Sequence, residues 1–244
     1  MKKVLFILMF VPSVCFAQWQ DVLNKVKDEI TKVTSQSGIG NGTVDIAGGL
    51  KEALQNGVSK QVTKLTATDG FYKNELVKIA LPEELQKVDR TLRKMGMSKL
   101  ANDGIKSLNR AAEDAVKEST PIFVNAITSM SFSDAKSILM GNEVAATDYL
   151  KGSTSSALYV KFSPVIQKSL GKVGADKIWS TIIKKYNAIP LVNKVNPDLT
   201  DYVTNKSMDG VFKMIAVEEK NIRTNFNSRT SETLKKVFAL QDKK

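Results

Sequence analysis

Apolar residues recur along most of this chain at steps of three and four, the spacing that puts them on one face of an α-helix. Ile46, Leu50, Leu54, Val58, Val62 and Leu65 form the first long stripe. Thr43 precedes it as an N-cap, and Thr68-Asp69-Gly70-Phe71 breaks it. Residues 73–81 read as an extended connector. Pro82 then opens a helix bearing Leu85, Val88, Leu92 and Met95, which Gly96 stops. A further helix carries Leu100, Ile105, Leu108, Ala112 and Ala115, and Pro121 opens the next, through Phe123 and Ile127. Ser131-Phe132-Ser133-Asp134 is a capping box with Asp in place of Glu, ahead of a short helix ending at Gly141. Asn142 caps a segment with Val144, Ala145 and Leu150. Leu158, Phe162, Ile166 and Leu170 make another helix, kinked or restarted at Pro164. Ile178, Trp179, Ile182 and Ile183 mark one more, and residues 189–197 a loop. Asp198 opens a long helix through Met208, Phe212, Ile215 and Ile222, and residues 228–240 close the chain. No period-two run interrupts the series. The pattern predicts an all-α, compact domain of about ten short helices over residues 43–244.

The first residues differ. Lys2 and Lys3 precede an unbroken apolar run from Val4 to Val11, and Cys15-Phe16-Ala17 places small residues where a signal peptidase cuts. Eight apolar residues are too few for the roughly 30 Å hydrocarbon core of a bilayer. Residues 1–17 are therefore expected to be an export signal, removed after Ala17. Val14 and Pro12 are the wrong neighbours for acylation of Cys15. Trp19, Val22, Leu23, Val26, Ile30 and Val33 predict a short amphipathic helix, tethered by the Gly/Ser/Asn-rich stretch that ends at Gly42. Over residues 18–42, such a helix can dock back on its own domain, bind a partner or lie on a membrane. The expected location is periplasmic or secreted. No later stretch is apolar enough to span a membrane.

Composition removes several chemistries. The chain has 244 residues, no histidine and one cysteine. Histidine-based triads, most zinc sites and internal disulfides are thereby excluded. The net charge is +11, falling to +9 without the two signal lysines. Only Arg90, Arg93, Arg110, Arg223 and Arg229 are arginine. A lysine-dominated excess attracts anions without the fork geometry that reads bases, so nucleic acid is not an expected partner. An anionic lipid or cell-wall component is, and peripheral membrane contact fits the same charge. Ser133 and Lys136, and Ser169 and Lys172, match Ser-x-x-Lys by chance frequency and lack the companion motifs of penicillin-recognising enzymes. Neither an EF-hand loop nor a phosphate-binding glycine loop is present, so no metal or cofactor is expected.

One resemblance runs through most of the chain. Its marks are Gly49-Leu50-Lys51-Glu52-Ala53-Leu54, Asp69-Gly70-Phe71 with Asn74, Ile79-Ala80-Leu81-Pro82 and Leu108-Asn109-Arg110-Ala111-Ala112-Glu113. Ala146-Thr147-Asp148-Tyr149, Lys161-Phe162-Ser163-Pro164, Asp209-Gly210-Val211-Phe212, Glu218-Glu219-Lys220 and Leu234-Lys235-Lys236-Val237-Phe238 follow in order. Together they resemble the bacterial domain of unknown function family 4197. The resemblance implies an exported helical protein and no catalytic residues.

The chemistry left to weigh is charge on apolar stripes. Met208, Phe212, Ile215, Glu219 and Ile222 step by four and three, so Glu219 points where core should be, with Arg223 one turn on. Asn109 borders another apolar arc, and Arg110 is spaced to pair with Glu113. Buried charges must be paired. Asn109, Glu113 and Arg223 read as a structural polar network. Arg110, Glu219 and Lys161, which precedes the suspected kink at Pro164, read as anchors for a ligand. The function expected is a non-catalytic exported protein that binds an amphiphilic or anionic envelope component. Two alternatives stand beside it: a hydrolase using carboxylates such as Glu113 and Glu219, and a scaffold whose N-terminal helix binds a partner.

Overall fold

The computed structural model describes residues 45–81, 86–172 and 198–242, with isolated positions between 174 and 194. The export signal, the tethered helix, Thr43, Pro82, Leu85, Ile178, Trp179, Ile182 and Ile183 lie outside the described residues. Those residues form α1 (Ile46–Thr66), α2 (Gln86–Lys94), α3 (Ser98–Val116), α4 (Ser119–Thr128) and α5 (Phe132–Leu139). They continue with α6 (Ala145–Gly171), α7 (Leu199–Thr224), a 3-10 turn (Phe226–Ser228) and α8 (Glu232–Asp242). No strand occurs among them. Among the described residues the helices are fewer and longer than the ten short ones expected.

The largest departure is α6. The sequence reading divides this region in two, one segment with Val144, Ala145 and Leu150 and another helix with Leu158, Phe162, Ile166 and Leu170. Instead one helix of 27 residues runs through it. The hydroxyls of Ser153, Thr154 and Ser155 donate back to the carbonyls of Tyr149, Leu150 and Lys151, so they do not compete with the helical ladder. Pro164 lies inside α6 and starts no helix of its own. It leaves the Val160 carbonyl without its usual donor, on an exposed face where water can serve.

Helix α6 also explains the architecture. Ala146, Leu150, Thr154, Leu158, Phe162, Ile166 and Leu170 are buried at a strict step of four. Each step advances about 40° around the helix, so the buried seam winds across most of its circumference. Different neighbours therefore cover its two ends, and α6 packs against α3, α4, α5 and α7. Helix α1 packs beside α7, α4, α5 and α8. Phe123 of α4 meets Phe212 of α7 edge-on, with ring centroids 6.1 Å apart.

Three helix starts, those of α1, α5 and α7, are capped by side chains of their own sequence. Asp45 caps α1 by accepting the Gly48 N–H, Ser131 and Asp134 form the expected capping box of α5, and Asp198 caps α7 by accepting from Asp201. Asn142 does not cap α6; its side chain accepts from Val144 in a turn before the helix. The start of α6 has no cap from its own sequence.

Candidate functional site

The missing cap is supplied by Glu219, from α7. Its Oε1 accepts the Ala146 N–H at 2.9 Å, and its Oε2 accepts the Thr147 N–H and hydroxyl, each at 2.8 Å. A carboxylate at a helix N-terminus meets free N–H donors and the positive end of the dipole together. Glu219 is 7% exposed and Arg223 4%. Arg223 pairs with Glu219 at 2.9 Å and donates to the carbonyls of Ile138 and Leu139, which end α5. Its remaining bond goes to Gln241 of α8. Arg229 repeats the device: it donates to the carbonyls of Ile222 and Arg223 at the end of α7 and pairs with Asp242. One polar chain thus ties α5, α6, α7 and α8 through their ends.

A second centre lies where α3 meets the turn after α1. Asn109, fully buried, both accepts the Ile79 N–H and donates to the Ile79 carbonyl, as a neighbouring strand would. Glu113 accepts from Phe71 N–H at 3.1 Å and Tyr72 N–H at 3.4 Å. Arg110 bridges Glu113 to Asp69, and Lys73 also pairs with Asp69 at 2.8 Å. Asp69 has φ +68°, a left-handed conformation that aspartate tolerates better than most residues.

The three residues expected to anchor a ligand are not brought together. Arg110 belongs to the second centre and Glu219 to the first, while Lys161 stands exposed on α6. Among the described residues, no hydrogen bond or ion pair joins any two of them. The other candidates group as the sequence pairs them: Asn109 and Glu113 with Arg110, and Arg223 with Glu219. Asp69, Lys73, Arg229 and Asp242 went unremarked as network members. A signal existed for Arg229, because in a lysine-rich chain an arginine marks a place where fork geometry matters.

A cavity of about 20 Å³ borders the first centre, lined by Leu54, Gly57, Ile215, Glu218, Glu219 and Ile222 among others. That is room for one water, against several hundred cubic ångströms for a typical ligand pocket. No cluster of three or more Asp, Glu or Cys that could hold a metal occurs among the described residues. No helix there is long and apolar enough to cross a membrane.

The carboxylates with perturbed titration move in one direction. Lys73 holds Asp69 below the ordinary carboxylate range, Ser131 does so for Asp134, Lys235 for Glu232 and Arg229 for Asp242. A carboxylate depressed in the fold stabilises it above the unfolded value and stops doing so as pH falls. With no histidine, no side chain of ordinary pKa titrates between about pH 5 and 8. The thermal midpoint is expected to be flat over that interval and to fall below about pH 4. A midpoint that rises on acidification would contradict this assignment.

Residues 40–239 match the family described as protein of unknown function, DUF4197. The chain belongs to this family. The matched span of DUF4197 runs from before α1 into α8 and takes in both polar centres apart from Gln241 and Asp242. No curated protein and no solved structure matches the chain.

Proposed function

We propose that this DUF4197 protein is exported and binds an anionic or amphiphilic component of the cell envelope on its surface, without turning it over. The observation that carries the reading is a division of labour among charges. The buried arginines and carboxylates are taken up by the protein's own backbone and side chains: Glu219, Arg223 and Arg229 at helix ends, Glu113 at the turn after α1 and Glu218 by Lys60 and Gln61 of α1, beside a cavity the size of a water. Lys151, Lys161 and Lys168 along α6 and Lys172 at its C-cap are all exposed, and Val160 of the same helix is 68% exposed. No acid follows Asp148 in that helix. An exposed helix so rich in lysine attracts anions without prescribing their geometry. The signal-like residues 1–17 supply the export half of the reading. The hydrolase alternative gains no support, because Glu113 and Glu219 are both taken up by main-chain donors and an arginine.

Binding of the full chain to phosphatidylglycerol vesicles and to soluble polygalacturonate tests the proposal. Replacing Lys151, Lys161, Lys168 and Lys172 together with glutamine is expected to weaken binding by about a thousandfold at low salt, at roughly 1 kcal/mol per lysine at an anionic surface. Equal binding by wild type and variant, or no binding to either probe, would overturn it.

A further inference from the structure

The turn between α2 and α3 joins a left-handed glycine, two exposed methionines and a run of cations. Gly96 has φ +76°, ends α2 and reverses the chain into α3. On either side stand Met95, 64% exposed, and Met97, 44% exposed. Within residues 86–99 the sequence places five cations, Lys87, Arg90, Arg93, Lys94 and Lys99, against one acid, Asp89. Arg93 takes up that acid at 2.7 Å. Arg90, Lys94 and Lys99 remain exposed around the two methionines. The first acid of α3 is Asp103, a turn further on. The only two arginines not committed to the buried networks, Arg90 and Arg93, are both here. Helix α2 packs chiefly on α3, at the edge of the domain.

From this juxtaposition we infer that the α2–α3 turn is a membrane-contact element: Met95 and Met97 enter the interface of a bilayer containing anionic phospholipid, while Arg90, Lys94 and Lys99 engage its headgroups. The inference rests on the reading that an anionic envelope component is bound, and it names the bilayer and a contact separate from α6. The occupant follows from the pairing of chemistries. A free phosphate or an acidic glycan would satisfy the cations and leave both methionines in water. An acidic protein would need an apolar pocket in register with them. A bilayer offers anionic headgroups and hydrocarbon in adjacent layers, and long basic side chains reach the first while methionines reach the second.

Co-sedimentation of the full chain with vesicles of phosphatidylglycerol and phosphatidylcholine, against phosphatidylcholine alone, measures the contact. Arg90→Gln/Lys94→Gln/Lys99→Gln is expected to weaken binding to the anionic vesicles about a hundredfold. Met95→Ser/Met97→Ser is expected to weaken it about tenfold while leaving binding to polygalacturonate unchanged. These side chains are exposed, so an unchanged circular dichroism spectrum should accompany both variants. A fluorophore on Met97→Cys, in a Cys15→Ser background, should shift to the blue when anionic vesicles are added. Vesicle binding lost in the α6 lysine variant but kept in both turn variants would overturn this inference and leave the surface-binding reading standing. Polygalacturonate binding without vesicle binding would do the same. A charge effect with no methionine effect and no blue shift, as an acidic protein or polymer partner would give, would also overturn it.

Discussion

Glu219→Ala is expected to lower the unfolding free energy by about 3–5 kcal/mol, the range for removing one partner of a buried ion pair. The substitution does more than delete a charge. It strips the N-terminus of α6 of its acceptor, leaving the N–H groups of Ala146 and Thr147 and the Thr147 hydroxyl unsatisfied in a buried place. It also leaves Arg223, 4% exposed, with carbonyl and amide partners but no counter-charge. Glu219→Gln keeps the volume and one acceptor oxygen, so its loss should be smaller. Because Glu219 and Arg223 belong to one network, Glu219→Ala/Arg223→Ala should destabilise by less than the two single losses added. Urea unfolding with an unchanged slope measures the four variants, Arg223→Ala included, against the wild type. A loss under about 1 kcal/mol for Glu219→Ala, the figure for an exposed pair, would show that the carboxylate does not hold α6.

That Glu219 is buried and paired was legible in the sequence; what it holds was not. A charge at the Ile215–Ile222 step must be compensated, and Arg223 one turn away is a local partner that spacing reveals. The N–H groups it caps lie more than seventy positions earlier, and a cap supplied from another helix leaves no pattern of its own. The nearest hint is negative: α6 begins at Val144-Ala145-Ala146, with none of the usual capping residues at the boundary. The length of α6 was hidden for a related reason. Serine and threonine hydroxyls can compete with the backbone or return their proton to the preceding turn, and composition does not say which. Membership of the family was readable from the ordered motifs, because the glycines, the Asn109-Arg110 pair and the paired glutamates each answer to a packing demand of the fold. The exposed methionine turn was read only as a helix end. Periodicity marks what is buried, whereas a surface contact rests on exposure, which becomes visible only when the neighbouring helices are in place.

The Asp69-Gly70-Phe71 motif makes the case for such a demand most sharply, through Gly70→Ala. A Cβ on Gly70 would lie 2.4 Å from the Lys64 carbonyl oxygen and 2.5 Å from that of Leu65. Both are main-chain atoms in the last turn of α1, so no side chain can rotate away, and the turn itself must move. Movement there pulls the Phe71 and Tyr72 N–H groups from Glu113 and shifts the Phe71 ring, which is wholly buried and packs where Gly210 leaves α7 without a side chain. The expected loss is about 3 kcal/mol, the upper part of the range for forcing extra volume into a packed interior. Gly57→Ala supplies the control. Its Cβ would meet Glu218 Cγ at 3.5 Å and Ile222 Cδ1 at 3.8 Å, ordinary contacts beside the small cavity. Replacing a mid-helix glycine by alanine there should stabilise by up to about 1 kcal/mol. The two substitutions add the same methyl group, so thermal midpoints moving in opposite directions isolate the effect of its surroundings. A Gly70→Ala protein as stable as Gly57→Ala would mean that the turn has room its geometry denies.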